Sequence, residues 1–174
     1  DSFENQHEYE EFLKVNKPTT ILGEQVKSLE EVYIANTLFR MNINYEYESK
    51  YRIELPQIGK KPYCPDFYLT DYDIYIEHFA LDKKGCSIFG NKYVEDYNDK
   101  LKIHKENKTN LICTFSHQMS DEILLKELVE KLKDNNVAIN YKSNEEIIEQ
   151  MKVTSNFQIL LFTKLINTFK NLYK

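Results

Sequence analysis

Asp66 and Glu77 are the residues of this chain whose placement invites chemistry. They lie in CPDFYLTDYDIYIEHF, residues 64–79, which reads as two short strands around the acidic turn TDYD, residues 70–73. Centring that turn between Asp71 and Tyr72 pairs Leu69 with Ile74 and sets Asp66 directly opposite Glu77, for a two-residue or a four-residue loop alike. Side chains alternate between the faces of a strand. Phe67, Leu69, Ile74 and Ile76 therefore share a core face, and Asp66, Tyr68, Tyr75 and Glu77 share the other. Like charges directly opposite each other destabilise a sheet. A bound divalent cation offsets that cost, because hard cations favour carboxylate oxygens. The plain alternative, equally open on the hairpin alone, is that both carboxylates point into water.

Three further positions can converge on this acidic face. Glu31 lies in Ser28-x-x-Glu31, a pattern that a helical capping box explains by itself. Position 79 shares the face of Glu77, and a lysine there would stabilise charge on a phosphate, but the chain carries Phe79. Tyr93, Tyr97, Lys100 and His104 recur at spacings of four, three and four, which makes one helix face. Lys100 can then reach the site from a helix rather than from the strand. A solvated polar stripe is the simpler reading of the same spacing. His78 falls on the face opposite Glu77 and is expected to be a core or interface histidine. His104 is either a helix-surface histidine or a general base, and Tyr75 and Tyr97 are expected mainly to pack. Lys83, Lys84, Lys92, Lys102, Lys105 and Lys108 form a local basic stretch suited to phosphate contact or to solubility.

The elements that must hold these residues are legible in outline. HEYEEFLKV suggests a short leading helix, and SLEEVYIANTLFRM, 28–41, has helical periodicity. YEYESKYRIEL, 45–55, alternates like a strand, and LPQIGKKP is a loop. After the hairpin come a helix over 91–107, a short buried strand over 109–116, and an amphipathic helix capped by Ser120. NVAINY is expected as a strand, SNEEIIEQMK as another capped helix, and NFQILLFTKLINTFKNLYK as a long closing helix. A helix, a three-strand meander, then helix–strand–helix–strand predicts an α/β domain around a mixed sheet.

The chain has 174 residues, 41% apolar and 29% charged, enough for one domain with a real core. Its net charge of -5 argues against a generic nucleic-acid coat but leaves room for a local basic groove. Cys64, Cys86 and Cys113 are odd in number and lack CxxC spacing, which fits a reducing, cytoplasmic setting better than a disulfide or zinc framework. No apolar run is long enough to span a bilayer, and no signal-peptide pattern opens the chain. The opening Asp1 suggests a piece cut from something longer.

The Glu of the first helix, Pro65-Asp66 on one strand and Glu77 on the next together resemble the PD-(D/E)xK nuclease pattern. The wider segments KSLEEVYIANTLF, INYEYESKY, YCPDFYLTDYDIYIEHFAL and KLKIHKENKTNLICTFS, with the closing FTKLINTFKNLYK, resemble the nuclease-like domain inside UvrD-type superfamily 1 DNA helicases. That resemblance implies a restriction-endonuclease-like three-layer fold, a central mixed β-sheet flanked by helices. It implies a lead-in over 1–26, a nuclease-like domain over 27–174, and a last helix, 156–173, leading back toward the helicase core. No Walker A motif is present, so the ATPase motor is expected elsewhere in the polypeptide.

Carried over by position, the resemblance makes Asp66 and Glu77 the ligands of Mg²⁺ or Mn²⁺, with Glu31 helping to hold the metal shell. Phe79 departs from the usual lysine. Lys100, in DKLKIH, stands where the helicase-associated group carries a lysine on a helix. The implied activity is metal-dependent hydrolysis of DNA phosphodiester bonds in repair or recombination. The catalytic set would be Glu31, Asp66, Glu77 and Lys100, with Tyr97, Lys102 and His104 contacting DNA. The competing expectation, favoured by Phe79 and the acidic net charge, is a catalytically silent nuclease fold that binds DNA or packs on the motor.

Overall fold

The computed structural model describes residues 17–55, 62–120 and 123–155. The leading helix expected in HEYEEFLKV, most of the LPQIGKKP loop and the closing helix fall outside these residues.

Helix α1 (Leu29–Arg40) starts where the sequence signals it. Ser28 is extended and its side chain accepts the Glu31 N–H, while Glu30 and Glu31 in the first turn and Arg40 in the last complement the helix dipole. Its apolar stripe, Ile34, Ala35 and Leu38, is buried. Four strands follow: β1 (Glu46–Tyr47), β2 (Phe67–Leu69), β3 (Ile74–Phe79) and, after helix α2 (Asn91–Asn107), β4 (Asn110–Phe115). Their order is β1-β2-β3-β4. The first two pairings are antiparallel and the last is parallel, because α2 carries the chain back across one face before β4. The short helix α3 (Ser116–Ser120), α4 (Leu124–Asp134) and a last described helix, α5, over 144–155 complete the domain.

The hairpin register is the one the alternation predicts: Phe67 faces Ile76, Tyr68 faces Tyr75 and Leu69 faces Ile74. The turn closes with the Tyr72 and Asp73 N–H groups both donating to the Leu69 carbonyl, and Asp73 takes a left-handed φ of 54°. Helices α1 and α4 cover one sheet face, where Ile34, Leu38, Leu124, Leu128 and Leu132 meet Phe67, Leu69, Ile74, Ile76 and Ile112. The other face holds Tyr51, Tyr68 and Tyr75, packed by Ile103 of α2 and Leu111 of β4. The result is an α/β domain with helices on both sides of a mixed sheet. Leu128→Ala removes a fully buried side chain from the facing-helix layer and is expected to cost about 2–5 kcal/mol in a urea unfolding titration.

Four expectations need correction. The strand foreseen over 45–55 stops after Tyr47, because Glu48 adopts φ 47° and the chain leaves the sheet there. The Tyr51 N–H then donates to the Tyr63 carbonyl, which lays Tyr51 over the second sheet face. The amphipathic helix foreseen from Ser120 is split: α3 ends there, and α4 starts at Leu124 behind Ile123, with no side-chain cap. The segment NVAINY forms no strand; the Asn140 and Lys142 N–H groups donate to the Met41 and Arg40 carbonyls at the end of α1. The expected buried strand, β4, is buried only at alternate positions, Ile112 and Thr114.

The capping box before α5 forms in full, with Glu146 N–H donating to Ser143 Oγ and Ser143 N–H donating to the Glu146 carboxylate. The described part of the lead-in is tied down by Ile21, whose N–H donates to Asn36 Oδ1 and whose carbonyl accepts from Thr154 Oγ1. No described helix is long and apolar enough to cross a membrane. Cys64, Cys86 and Cys113 are all free.

Candidate active site

The acidic pair forms on the second sheet face. Glu77, in the middle of β3, is fully buried. Its Oε2 accepts from Lys100 Nζ at 2.6 Å and its Oε1 accepts from the Tyr63 hydroxyl at 2.7 Å. Asp66 lies one residue before β2, and its Oδ2 accepts the His78 N–H at 2.8 Å. That peptide N–H belongs to the residue after Glu77, so one strand pair fixes both acids. The face is not a wet acidic surface: Tyr68 and Tyr75 are buried beside the carboxylates. Burial first, and the Asp66 charge second, raise the Glu77 carboxyl from the ordinary 4.5 to about 7, against the opposing pull of Lys100 and Tyr63.

The polar stripe of α2 is not solvated. All four of its residues turn to the sheet. The Tyr93 hydroxyl accepts the Ala80 N–H at 2.9 Å. Tyr97 stands edge-on to Phe79 at 4.6 Å between ring centroids. Lys100 Nζ lies 5.5 Å above the Phe79 ring and 5.7 Å from the Tyr63 ring on its way to Glu77. Phe79, where the nuclease pattern expects a lysine, thus supplies the aromatic floor along which a helix lysine approaches the acids. A helix looks amphipathic in sequence only if its inward face is apolar; here that face reads Tyr, Tyr, Lys, His, because it covers aromatic rings and a carboxylate.

The other sequence candidates divide. His104 is buried, 2% exposed, and has no surface to offer DNA. Its ring sits among Tyr51, Tyr63 and Tyr75, and burial with the nearby Lys100 charge lowers it to about 4, so it is neutral at neutral pH. Tyr97 is half-buried by its packing on Phe79 and Phe115. Lys102 is exposed and pairs at 3.8 Å with Glu106. Glu31 stands at the start of α1, where its Oε2 accepts the Lys27 N–H at 2.9 Å and the Tyr47 hydroxyl at 2.7 Å. It closes the cap one residue earlier than a standard capping box, and burial with the Asp66 charge raises its carboxyl. His78 is the core histidine expected, bonded to Thr114 and to Glu30, and Glu30 in turn accepts from Ser116 Oγ.

Tyr63 was not singled out by sequence, although it binds Glu77 directly. It follows a Gly- and Pro-containing loop with no period, so nothing local points it at a strand fourteen residues on. Tyr51 and Thr109 escaped because each lies in a stretch that reads as a strand, 45–55 and 109–116, and nothing in either links them across fifty-eight residues.

Among the described residues no group of three or more His, Cys, Asp or Glu side chains is arranged as a metal cage. Asp66 and Glu77 nevertheless fit a Mg²⁺-type ion. Such ions are held through one or two carboxylates, with waters and substrate phosphate completing the shell. Burial and then the Asp66 charge raise the Glu77 carboxyl while Lys100 opposes them, so a further cation between the two acids would act in the same direction as Lys100.

The same shift sets a pH dependence. Between 4.5 and about 7 the folded protein holds a proton on Glu77 that the unfolded chain has released, so stability falls as pH rises through that window. The difference corresponds to roughly 3 kcal/mol. Glu77→Gln removes the titration. Relative to the parent, the metal-free variant is expected to gain stability from pH 5 to pH 8 by up to that amount in urea unfolding. A pH-independent offset between the two proteins contradicts this.

A protein of Methanocaldococcus jannaschii that bears the name of a type I restriction enzyme endonuclease subunit, MjaVIIIP, is 27% identical to this chain over 168 residues. The similarity takes in 83% of this chain and 16% of that protein, so the chain spans about a sixth of the relative's length. No family profile matches the chain. No solved structure matches it.

Proposed function

We propose that this chain is a divalent-metal-dependent deoxyribonuclease domain of restriction-endonuclease-like fold, operating inside a longer polypeptide. The observation that carries the proposal is the meeting of Asp66, Glu77 and the Lys100 ammonium on one sheet face, with Lys100 2.6 Å from Glu77. The mixed sheet with helices on both sides and the named function of the M. jannaschii relative support the same reading.

Asp66 and Glu77 would hold the ion, and Glu31, close enough to feel the Asp66 charge, steadies the start of α1 beside them. When bound, Mg²⁺ or Mn²⁺ supplies Lewis acidity toward a phosphate oxygen and a water of lowered pKa. Lys100 exchanges its hold on Glu77 for the negative charge that builds on the phosphate in the transition state. Lys102, exposed on α2, contacts the DNA backbone, and Tyr97 shapes the wall of the site. His104 takes no part in DNA contact.

The larger setting has two candidates that share DNA as substrate. The motif order favours a UvrD-type superfamily 1 helicase acting in repair or recombination, with the domain over 27–174 joined to a motor through 156–173. The relative's name favours a restriction system. A second reading, a silent nuclease fold, draws on Phe79 and on the Lys100–Glu77 pair, which occupies a metal ligand.

The test incubates single-stranded and duplex DNA with Mn²⁺ and the parent, Asp66→Ala or Lys100→Ala chain. Cleavage by the parent alone supports the nuclease. Cleavage that persists in both variants removes these residues from the chemistry, and Mn²⁺ binding without cleavage selects the silent fold.

A further inference from the structure

Behind Glu77 runs a line of hydrogen bonds that the proposed chemistry does not use. Tyr63 Oη is 2.7 Å from Glu77 Oε1 and 2.9 Å from His104 Nε2. His104 Nδ1 is 2.8 Å from Thr109 Oγ1, which is 2.7 Å from the Tyr51 hydroxyl. The residues come from the 48–55 segment, the loop before β2, and the end of α2 with the turn into β4, so three pieces of chain join in one line, of which only Tyr63 touches the acid.

The direction of this line follows from counting protons. An ionised carboxylate only accepts, so the single proton of Tyr63 goes to Glu77. The Tyr63 oxygen can then only accept from His104, which requires the proton on Nε2. A neutral ring protonated at Nε2 presents a lone pair at Nδ1, so Thr109 must donate there. Its other acceptor, the His104 carbonyl, lies at 3.5 Å and is the weaker partner. Thr109 in turn accepts from Tyr51. Burial keeps the ring neutral, which this arrangement needs.

We propose that His104 is a positioning residue: as the Nε2–H tautomer it orients the Tyr63 hydroxyl onto Glu77 Oε1 and so aims the other oxygen of Glu77 at the place shared by Lys100 and the metal. This deepens the nuclease reading and rests on it for the metal. Partners behind a ligating carboxylate fix its orientation, and their loss typically weakens metal affinity about 10–100-fold.

The proposal is tested first on the metal-free parent chain at pH 8, where Glu77 is ionised, by ¹⁵N-correlated NMR of the histidine rings. His104 is expected as the Nε2–H tautomer, and Tyr63→Phe, which removes its acceptor, is expected to shift it toward Nδ1–H. An Nδ1–H ring or an imidazolium in the parent overturns the proposal, as does a tautomer indifferent to Tyr63→Phe. Mn²⁺ calorimetry then compares three variants. His104→Phe keeps the aromatic packing without the N–H and is expected to weaken binding about 10–100-fold, as is Tyr63→Phe. His104→Gln, whose amide N–H reaches the Nε2 position, is expected to restore most of it. Equal affinity in His104→Phe and parent, or equal loss in His104→Gln and His104→Phe, reduces the residue to packing. If the parent binds no Mn²⁺, the nuclease reading fails, and the ring tautomer still decides the role of His104.

Discussion

Asp66→Asn is expected to abolish metal-dependent DNA cleavage while leaving the metal-free fold at least as stable as the parent. The amide oxygen of Asn can still accept the His78 N–H that Asp66 Oδ2 accepts at 2.8 Å, so the strand pairing keeps its side-chain lock. What disappears is the charge. Glu77 loses the second-largest cause of its raised pKa and ionises more readily in its buried position. Glu31 loses the same neighbour. On the proposed assignment, however, the site would lose one of its two anionic metal ligands. Metal-assisted charge stabilisation is worth several kcal/mol, which corresponds to a rate loss of about 10³-fold or more. Urea unfolding, Mn²⁺ calorimetry and cleavage of labelled DNA measure the three consequences separately. Parental cleavage by a well-folded Asn variant that binds Mn²⁺ poorly contradicts the assignment.

Lys100→Met is expected to separate catalysis from metal binding. The parent ammonium is bonded to Glu77 at 2.6 Å, with a carboxylate that is fully buried and a lysine side chain that is 31% exposed. Removing it leaves Glu77 with Tyr63 as its remaining hydrogen-bond partner among the described residues, and breaking a buried pair from one side costs about 3–5 kcal/mol. That cost shrinks at acidic pH, where Glu77 is protonated, and it largely vanishes in a Glu77→Gln background, which a double-mutant cycle can read. Mn²⁺ no longer competes with an ammonium for Glu77, so its affinity holds or rises. Cleavage falls about 10²–10³-fold, the usual effect of losing one transition-state charge donor. A variant in which affinity and cleavage fall together makes Lys100 a structural brace and favours the silent fold.

The acidic pair was legible because its cause is local. Two runs alternating apolar and polar residues around a tight turn admit one register that buries Phe67, Leu69, Ile74 and Ile76 together, and that register carries Asp66 and Glu77 to opposite positions. Helix α2 was legible in extent for a similar reason. Its inward face was not, since Tyr93, Tyr97, Lys100 and His104 resemble a surface until the aromatic face they cover is known.

The sequence by itself therefore determined the hairpin, its register, the extents of α1 and α2 and the facing positions of Asp66 and Glu77, because hydrogen-bond periodicity and side-chain alternation act over a few residues. Only the tertiary structure decided which face of α2 turns inward, that Glu48 ends β1, that NVAINY docks on α1 instead of joining the sheet, and that Tyr63 and His104 stand behind Glu77. Those outcomes depend on contacts between segments such as Tyr51 and Thr109, fifty-eight residues apart, where burial and hydrogen-bond satisfaction across the whole domain outweigh any local pattern.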